Sequence, residues 1–224
     1  MNRMWGAGSI VLVLVLVLAG SAGAVGVGVR AGTSGVGADV AFGVAPMVSA
    51  RLGYSAFNTT HQMSDSDFKY DAKLQLKNAS LLLDFSPPAM PLRLTAGLVA
   101  SGNKVDVTAT PNGGGYSLNG TQYSTAQIGH IDGQIKGARS TVPYLGIGWG
   151  NVSGTGVNVY GDLGVMLMGG GKARLDAQCT AVGAAVCASA DFQRNLAAER
   201  SKLEDDVKGF NYYPVINIGV TAGF

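Results

Sequence analysis

The sequence predicts an all-β fold: an eight-stranded antiparallel transmembrane up-and-down β-barrel with one short helix in its last outer loop. Three observations carry this. Segments of roughly ten residues alternate apolar with small or polar side chains, the period of a strand with one face in lipid. The connections between the segments sort by parity, short at one end and long at the other. Glycine supplies 34 of the 224 residues and charged residues only 13%, against average usage of roughly 7% and 25%. Small residues at that density suit tightly curved strands better than long helices.

Residues 1–24 read as a cleaved secretory signal peptide, with Arg3 as the positive start, Ile10 to Leu18 as the apolar run and Ala22-Gly23-Ala24 as the small-residue cleavage site. That run is about half of the roughly 20 apolar residues a spanning helix needs. The barrel then occupies 25–224 as one domain. Val25–Gly32 alternates Val and Ala with Gly and Arg30. Val36, Ala38, Val40, Phe42 and Val44 follow the turn at Thr33-Ser34-Gly35. Val48, Ala50, Leu52, Tyr54 and Ala56 form the third apolar row. In the fourth strand Tyr70, Ala72, Leu74 and Leu76 share one parity, and Leu81, Leu83 and Phe85 share the other. The flip at Asn78-Ala79 predicts a β-bulge. Leu92 to Ser101 is the fifth strand, Pro143 to Trp149 the sixth, Val157 to Leu167 the seventh and Val215 to Phe224 the last.

Between these strands the connections 45–47, 86–91 and 151–156 are short, and 58–67, 102–141 and 169–211 are long. Outer-membrane barrels have short periplasmic turns and long outer loops. This register sets Phe85, Trp149 and Phe224 at the inner ends of their strands on the apolar face. It sets Tyr54 and Tyr70 at the outer ends, so two aromatic girdles are expected.

The final strand carries Asn217-x-Gly219-x-x-Ala222-x-Phe224, which resembles the C-terminal signal by which bacterial outer-membrane barrels are recognised for insertion. With Pro143-Tyr144-Leu145-Gly146-Ile147-Gly148-Trp149-Gly150 and the parity of the connections, it makes the chain resemble the small eight-stranded Gram-negative barrels of the outer membrane protein A and outer membrane protein W group. The resemblance implies residence in the cell outer membrane. It also implies dealings with outer-membrane lipids, the barrel insertion machinery and periplasmic chaperones. Because no peptidoglycan-binding domain follows Phe224, a cell-wall anchor role is not expected. For the outer membrane protein W family it implies a route for small hydrophobic molecules, although no motif here secures that inheritance.

The face turned away from lipid carries Arg30, Asp39, Arg51, Asp71, Lys73, Lys77, Asp84, Arg93 and Asp162. Eight strands leave an interior just wide enough to be filled by side chains, and charges buried there must pair or be hydrated. Arg51, Asp84, Arg93, Asp162, Arg30 and Asp39 are therefore the expected interior cluster, either a structural salt-bridge core or the lining of a narrow conduit.

Cys179 and Cys187, two cysteines in one loop of an exported chain, are expected to form a disulfide. No metal site is expected, since His61 and His130 are far away in sequence. Ser189 or Asp191 could cap a helix running to about Lys208, with the stripe Phe192, Leu196, Leu203 and Val207 packed over the barrel mouth or against the 102–141 loop.

The formal charge of +2 gives no hint of a nucleic-acid partner, and no cofactor is expected. A monomeric barrel with a structural or surface role is the leading expectation, with a narrow conduit for small solutes as an alternative. A lipid-modifying enzyme using His61 or His130 as base is the other alternative, and no catalytic set is assigned.

Overall fold

The computed structural model describes residues 24–65, 68–88 and 90–224; the expected signal peptide 1–24 lies outside them except for Ala24. Thirteen strands and two helices are present among the described residues. The strands are β1 (Val25–Gly32), β2 (Gly35–Ala45), β3 (Val48–Ser64), β4 (Phe68–Phe85), β5 (Leu92–Ser101), β6 (Lys104–Pro111), β7 (Tyr116–Leu118), β8 (Thr121–Tyr123), β9 (Ile128–Gly137), β10 (Thr141–Trp149), β11 (Gly156–Leu167), β12 (Gly171–Cys179) and β13 (Tyr212–Gly223). The helices are α1 (Ala184–Cys187) and α2 (Ala190–Val207). No helix among the described residues is long and apolar enough to cross a membrane.

Eight of the strands pair in a ring, β1-β2-β3-β4-β5-β10-β11-β13, and β13 pairs back with β1. Every pairing is antiparallel. The ring follows from the alternation in sequence. Val29, Val36, Leu94, Leu145, Val159 and Ile218 stand on its outer surface, each at least half exposed. The intervening positions point inward and are mostly buried. Ring strands meet in tight turns at one end, as at residues 46–47, where Met47 takes a left-handed backbone (φ 65°). Gly35 does the same at the opposite end of β2 (φ 104°), a conformation that costs a side-chain-bearing residue more.

Beyond the ring the long connections are not loops. β3 and β4 continue as a paired hairpin to Ser64 and Lys69, so the segment 58–67 is mostly strand. It alternates weakly because both faces of this extension are polar near its tip, and the period-two signal needs one apolar face. The 102–141 segment folds as β6, the β7–β8 hairpin and β9, and 169–211 as β12, α1 and α2. The expectation of one short helix is corrected: α2 alone has 18 residues.

β4 is the branch point. Its lower half (78–85) pairs with β5, whereas its upper half (68–75) pairs with β6, which continues through β9 to β12. Asn103 closes the fork, its Oδ1 accepting from Lys77 N at 3.0 Å while Gly102 N donates to Lys77 O at 2.7 Å.

The predicted bulge at Asn78-Ala79 is absent: β3 and β4 pair without a register shift from Val48↔Phe85 to Ser64↔Lys69. The apolar parity changes because the surroundings change. Low in the ring the outward face meets the apolar exterior, while higher up the inward face meets the apolar underside of the outer sheet. Tyr70 accordingly lies on the inner face, near Phe68 (ring centroids 5.7 Å), and leaves the outer girdle. Asp71, Lys73 and Lys77 lie on the outer face and not in the interior.

Two large apolar cores result, beside a small cluster of Ala41, Val152 and Tyr160 at the short-turn end. One fills the upper ring with Leu82, Val99, Val142, Tyr144, Met166 and Val215. The other lies beneath the outer sheet and joins Tyr116, Leu118, Tyr123, Ile128, Ile131 and Phe192.

Candidate functional site

Arg51, Asp84, Arg93 and Asp162 come together in the lower ring as one network. Arg51 Nη1 donates to Asp162 Oδ2 at 2.7 Å and its Nη2 to Asp84 Oδ1 at 3.1 Å. Arg93 Nη2 donates to Asp162 Oδ1 at 2.5 Å, and its Nη1 donates to the carbonyl of Gly150 at 2.7 Å. Both Nε atoms lie 3.0 Å from Asp84 carboxylate oxygens but off the hydrogen-bond direction, so these contacts are electrostatic. Thr95 adds a hydroxyl donor to Asp84 at 2.6 Å. Arg30 and Asp39 form a second pair at 2.7 Å.

All six charged side chains are buried, and their charges cancel, three cations against three anions. Removing such ions from water costs several kcal/mol each, which only close pairing and saturating hydrogen bonds offset. Tyr160 ties the two groups together. Its hydroxyl donates to Asp39 Oδ2 at 2.5 Å, and the guanidinium carbons of Arg51 and Arg93 lie 5.5 and 5.6 Å from its ring centre, within cation–π range.

Sequence reasoning identified the six charges and missed Tyr160 and Thr95. A signal was present: Tyr160 shares the inward parity of Asp162 and stands in register with Gly219, a large residue facing a small one. Tyr144 repeats the device higher up, its hydroxyl filling the space above Gly146 and Gly164.

Above this network the interior is packed by Leu82, Val99, Val142, Tyr144 and Met166. The cavity between Arg30, Asn78, Leu82, Tyr144, Asp162 and Met166 measures about 20 Å³, room for roughly one water molecule. Below it, at the short-turn end, an open bowl of about 420 Å³ is lined by Arg93, Ser49, Leu92 and Gly150 among others. Above it, an apolar pocket of about 290 Å³ lies between Leu74, Leu76, Val105, Ile135, Met168 and Val207.

In the last strand Asn217 turns inward and accepts from Ser34 Oγ at 2.8 Å, and Gly219 lies under Tyr160. Ala222 faces outward, and Phe224 is 79% exposed. Phe85, Trp149 and Tyr54 are also exposed on the ring's outer surface.

Cys179 and Cys187 are joined by a disulfide at a Cα separation of 6.5 Å. Ser189 caps α2, accepting from Phe192 N at 3.3 Å. The helix packs on β12 and the β7–β8 hairpin: Phe192 meets Tyr123 edge-on at 5.1 Å, and Asn195 Nδ2 donates to Tyr123 Oη at 2.9 Å. The first turns of the helix rest against the 102–141 segment, and Val207 at its far end lines the apolar pocket above the ring interior, so each expected resting place takes part of the stripe. His61 lies on the β3 extension and His130 on β9, where it approaches Asp132 at 3.5 Å.

The chain matches no protein-family model and no curated protein. In three dimensions it is similar to the crystal structures of Acinetobacter baumannii CarO2 and CarO, each at 22% identity and a TM-score of 0.57. The two alignments cover 90% and 89% of this chain and 98% and 97% of those chains. What is shared is the fold, an all-β antiparallel architecture.

Proposed function

We propose that the protein is an integral outer-membrane barrel with a sealed, charge-paired interior and a structural or surface role, its working surface being the cap of sheet and helix beyond the ring. One observation carries the reading: a ring whose outside is apolar encloses a neutral ion network and an apolar plug. In water the exposed Val, Leu, Ile and aromatic side chains around the whole ring would far exceed the few hundred Å² of apolar patch a soluble protein tolerates. In lipid they need no cover, and a closed ladder leaves no unpaired edge there.

The short-turn end then faces the periplasm and the cap faces outward. Short inner turns and long outer excursions also favour a place near the outer membrane protein A and W groups. Phe224 and the strand before it serve as the insertion signal in this reading. Outer-membrane lipids, the insertion machinery and its chaperones are the expected partners of a monomer. No catalytic role is assigned, since the interior acids are bound to arginines and His61 and His130 lie in the cap on different strands.

Heat-modifiable migration on a denaturing gel tests the membrane barrel, compact unheated and slower after boiling. Planar-bilayer recording tests the seal: silence is expected. Steady openings that change in Arg93→Ala would replace this reading with the conduit, and altered lipid A in an overexpressing strain would bring in the enzyme.

A further inference from the structure

The outer sheet carries an unusual row on its outward face. Cross-strand pairing sets Gln75 opposite Lys104, Lys104 opposite Lys136, and Lys136 opposite Lys172, so three lysines on three neighbouring strands stand side by side. Like charges directly opposite one another destabilise a sheet. The next row, Lys73, Asp106, Gln134 and Arg174, offsets this only at one end. Asp106 pairs with Lys104 at 2.9 Å and accepts from Gln75 and Gln134. Among the described residues Lys136 and Lys172 make no ion pair, nor does nearby Arg139.

These side chains are not scattered. Lys104, Lys136, Lys172 and Arg139 line one open pocket of about 460 Å³, together with Ser101 and Ser140. Asn103, on the pocket wall, holds a buried Nδ2 with no acceptor among the described residues. The floor is the upper edge of the ring, where Ser101 N donates to Ser140 O at 2.7 Å. Just below, β5 and β10 present Leu98 and Leu145 outward. In a membrane this is the level at which the headgroups of the outer leaflet begin.

We infer that this pocket binds the phosphate groups of an outer-leaflet glycolipid, the lysine row and Arg139 supplying the cations and Ser101 and Ser140 neutral donors. The inference rests on the outer-membrane reading above, because orientation and depth both come from it. A phosphorylated lipid fits better than a soluble anion for a geometric reason: the lysines stand on the outward face just above Leu98 and Leu145, part of the apolar band that acyl chains would cover. Bound phosphate also relieves the repulsion that the row otherwise carries.

Native mass spectrometry of the full barrel in detergent, with bisphosphorylated lipid A as probe, tests this. Binding should weaken by roughly a hundred-fold when three cations near an anionic surface are removed in K136A/R139A/K172A. It should survive in K136R/K172R, and enzymatically dephosphorylated lipid A should bind far more weakly to the unaltered protein. Equal binding of the two lipids, or equal binding by the triple variant, would overturn the inference. Displacement by millimolar inorganic phosphate would overturn the choice of a lipid. Heat-modifiability of the same samples keeps the two readings apart: a normal shift without lipid binding refutes only the pocket, whereas loss of the shift refutes the membrane barrel and the pocket with it.

Discussion

Tyr160 occupies the space that a side chain at Gly219 would need. The two residues are partners across β11 and β13, and a Cβ added at Gly219 would run into Cε1, Cζ and the hydroxyl of the phenol. The ring cannot simply swing away, because its hydroxyl is committed to Asp39 and Arg51 and Arg93 approach its face. Gly219→Ala should therefore destabilise the barrel by about 1–3 kcal/mol through overpacking. Urea unfolding in lipid vesicles, followed by tryptophan fluorescence, measures it. An unchanged midpoint would mean that this register is wrong.

Asp162 is the acid on which Arg51 and Arg93 converge, at 2.7 and 2.5 Å. Asp162→Ala leaves one carboxylate, Asp84, between two buried guanidinium groups. Breaking a buried pair on one side costs about 3–5 kcal/mol, so this variant should fold poorly or lose its compact gel band. Replacing Arg51, Asp84, Arg93 and Asp162 together with apolar residues of similar volume should cost less than the single change. The same unfolding assay decides the order.

The ring, the long helix of the cap and its disulfide were legible in the sequence, and the pairing of the cap's strands was not, for one physical reason. A strand announces itself by alternation when its two faces meet different surroundings, as Leu92–Ser101 and Thr141–Trp149 do. Asn58–Gln62 has no apolar alternation, and only its ladder with Asp71–Gln75 reveals it as a strand. Leu74 and Leu81 differ in parity because one faces the underside of the cap and the other the outside of the ring, a distinction no local window contains. Of the interior, charges were readable by type and parity. Tyr160 became significant only when the register set it against Gly219.

Glu199 links α2 to the β7–β8 turn, its Oε1 accepting from Asn119 N at 2.7 Å and from Lys202 Nζ at 2.9 Å. The hydrogen bond from Lys202, then that from Asn119 N, hold its carboxyl below the ordinary value of 4.5. A depressed folded value means that the contribution is present above the unfolded pKa and fades as pH falls through the folded one. Docking of α2 should therefore be constant near neutrality and loosen only below about 4.5. Proteolysis at Arg194, Arg200 and Lys202 is neutral-pH chemistry, so amide exchange of α2 across a falling pH series is the better probe. Glu199→Gln should remove the pH dependence; a variant that keeps it would place the titration elsewhere.

The disulfide should matter to the cap and not to the ring. Cys179 ends β12 and Cys187 ends α1, a four-residue helix with no fully buried side chain, only Val186 and Cys187 resting half-buried on the outer core. The backbone around it has few other anchors: Thr180 N donates to Gln127 O at 3.0 Å, and the Thr180 hydroxyl donates to Ala126 O. Closing about nine residues contributes roughly 2–4 kcal/mol, chiefly by limiting the unfolded chain. That is comparable with everything else holding α1, so reduction should release residues 180–188. It should not release α2, whose cap at Ser189 and anchor at Phe192, 1% exposed, lie beyond the bridge. Nor should it reach β13, which is held on both sides by β1 and β11. Hydrogen exchange with and without reductant is the measurement. Faster exchange at 180–188, with 190–207 and 212–223 unchanged and the heat-modifiable band intact, is the expected pattern. Loosening of β13 on reduction would show instead that the cap and the ring fold as one unit.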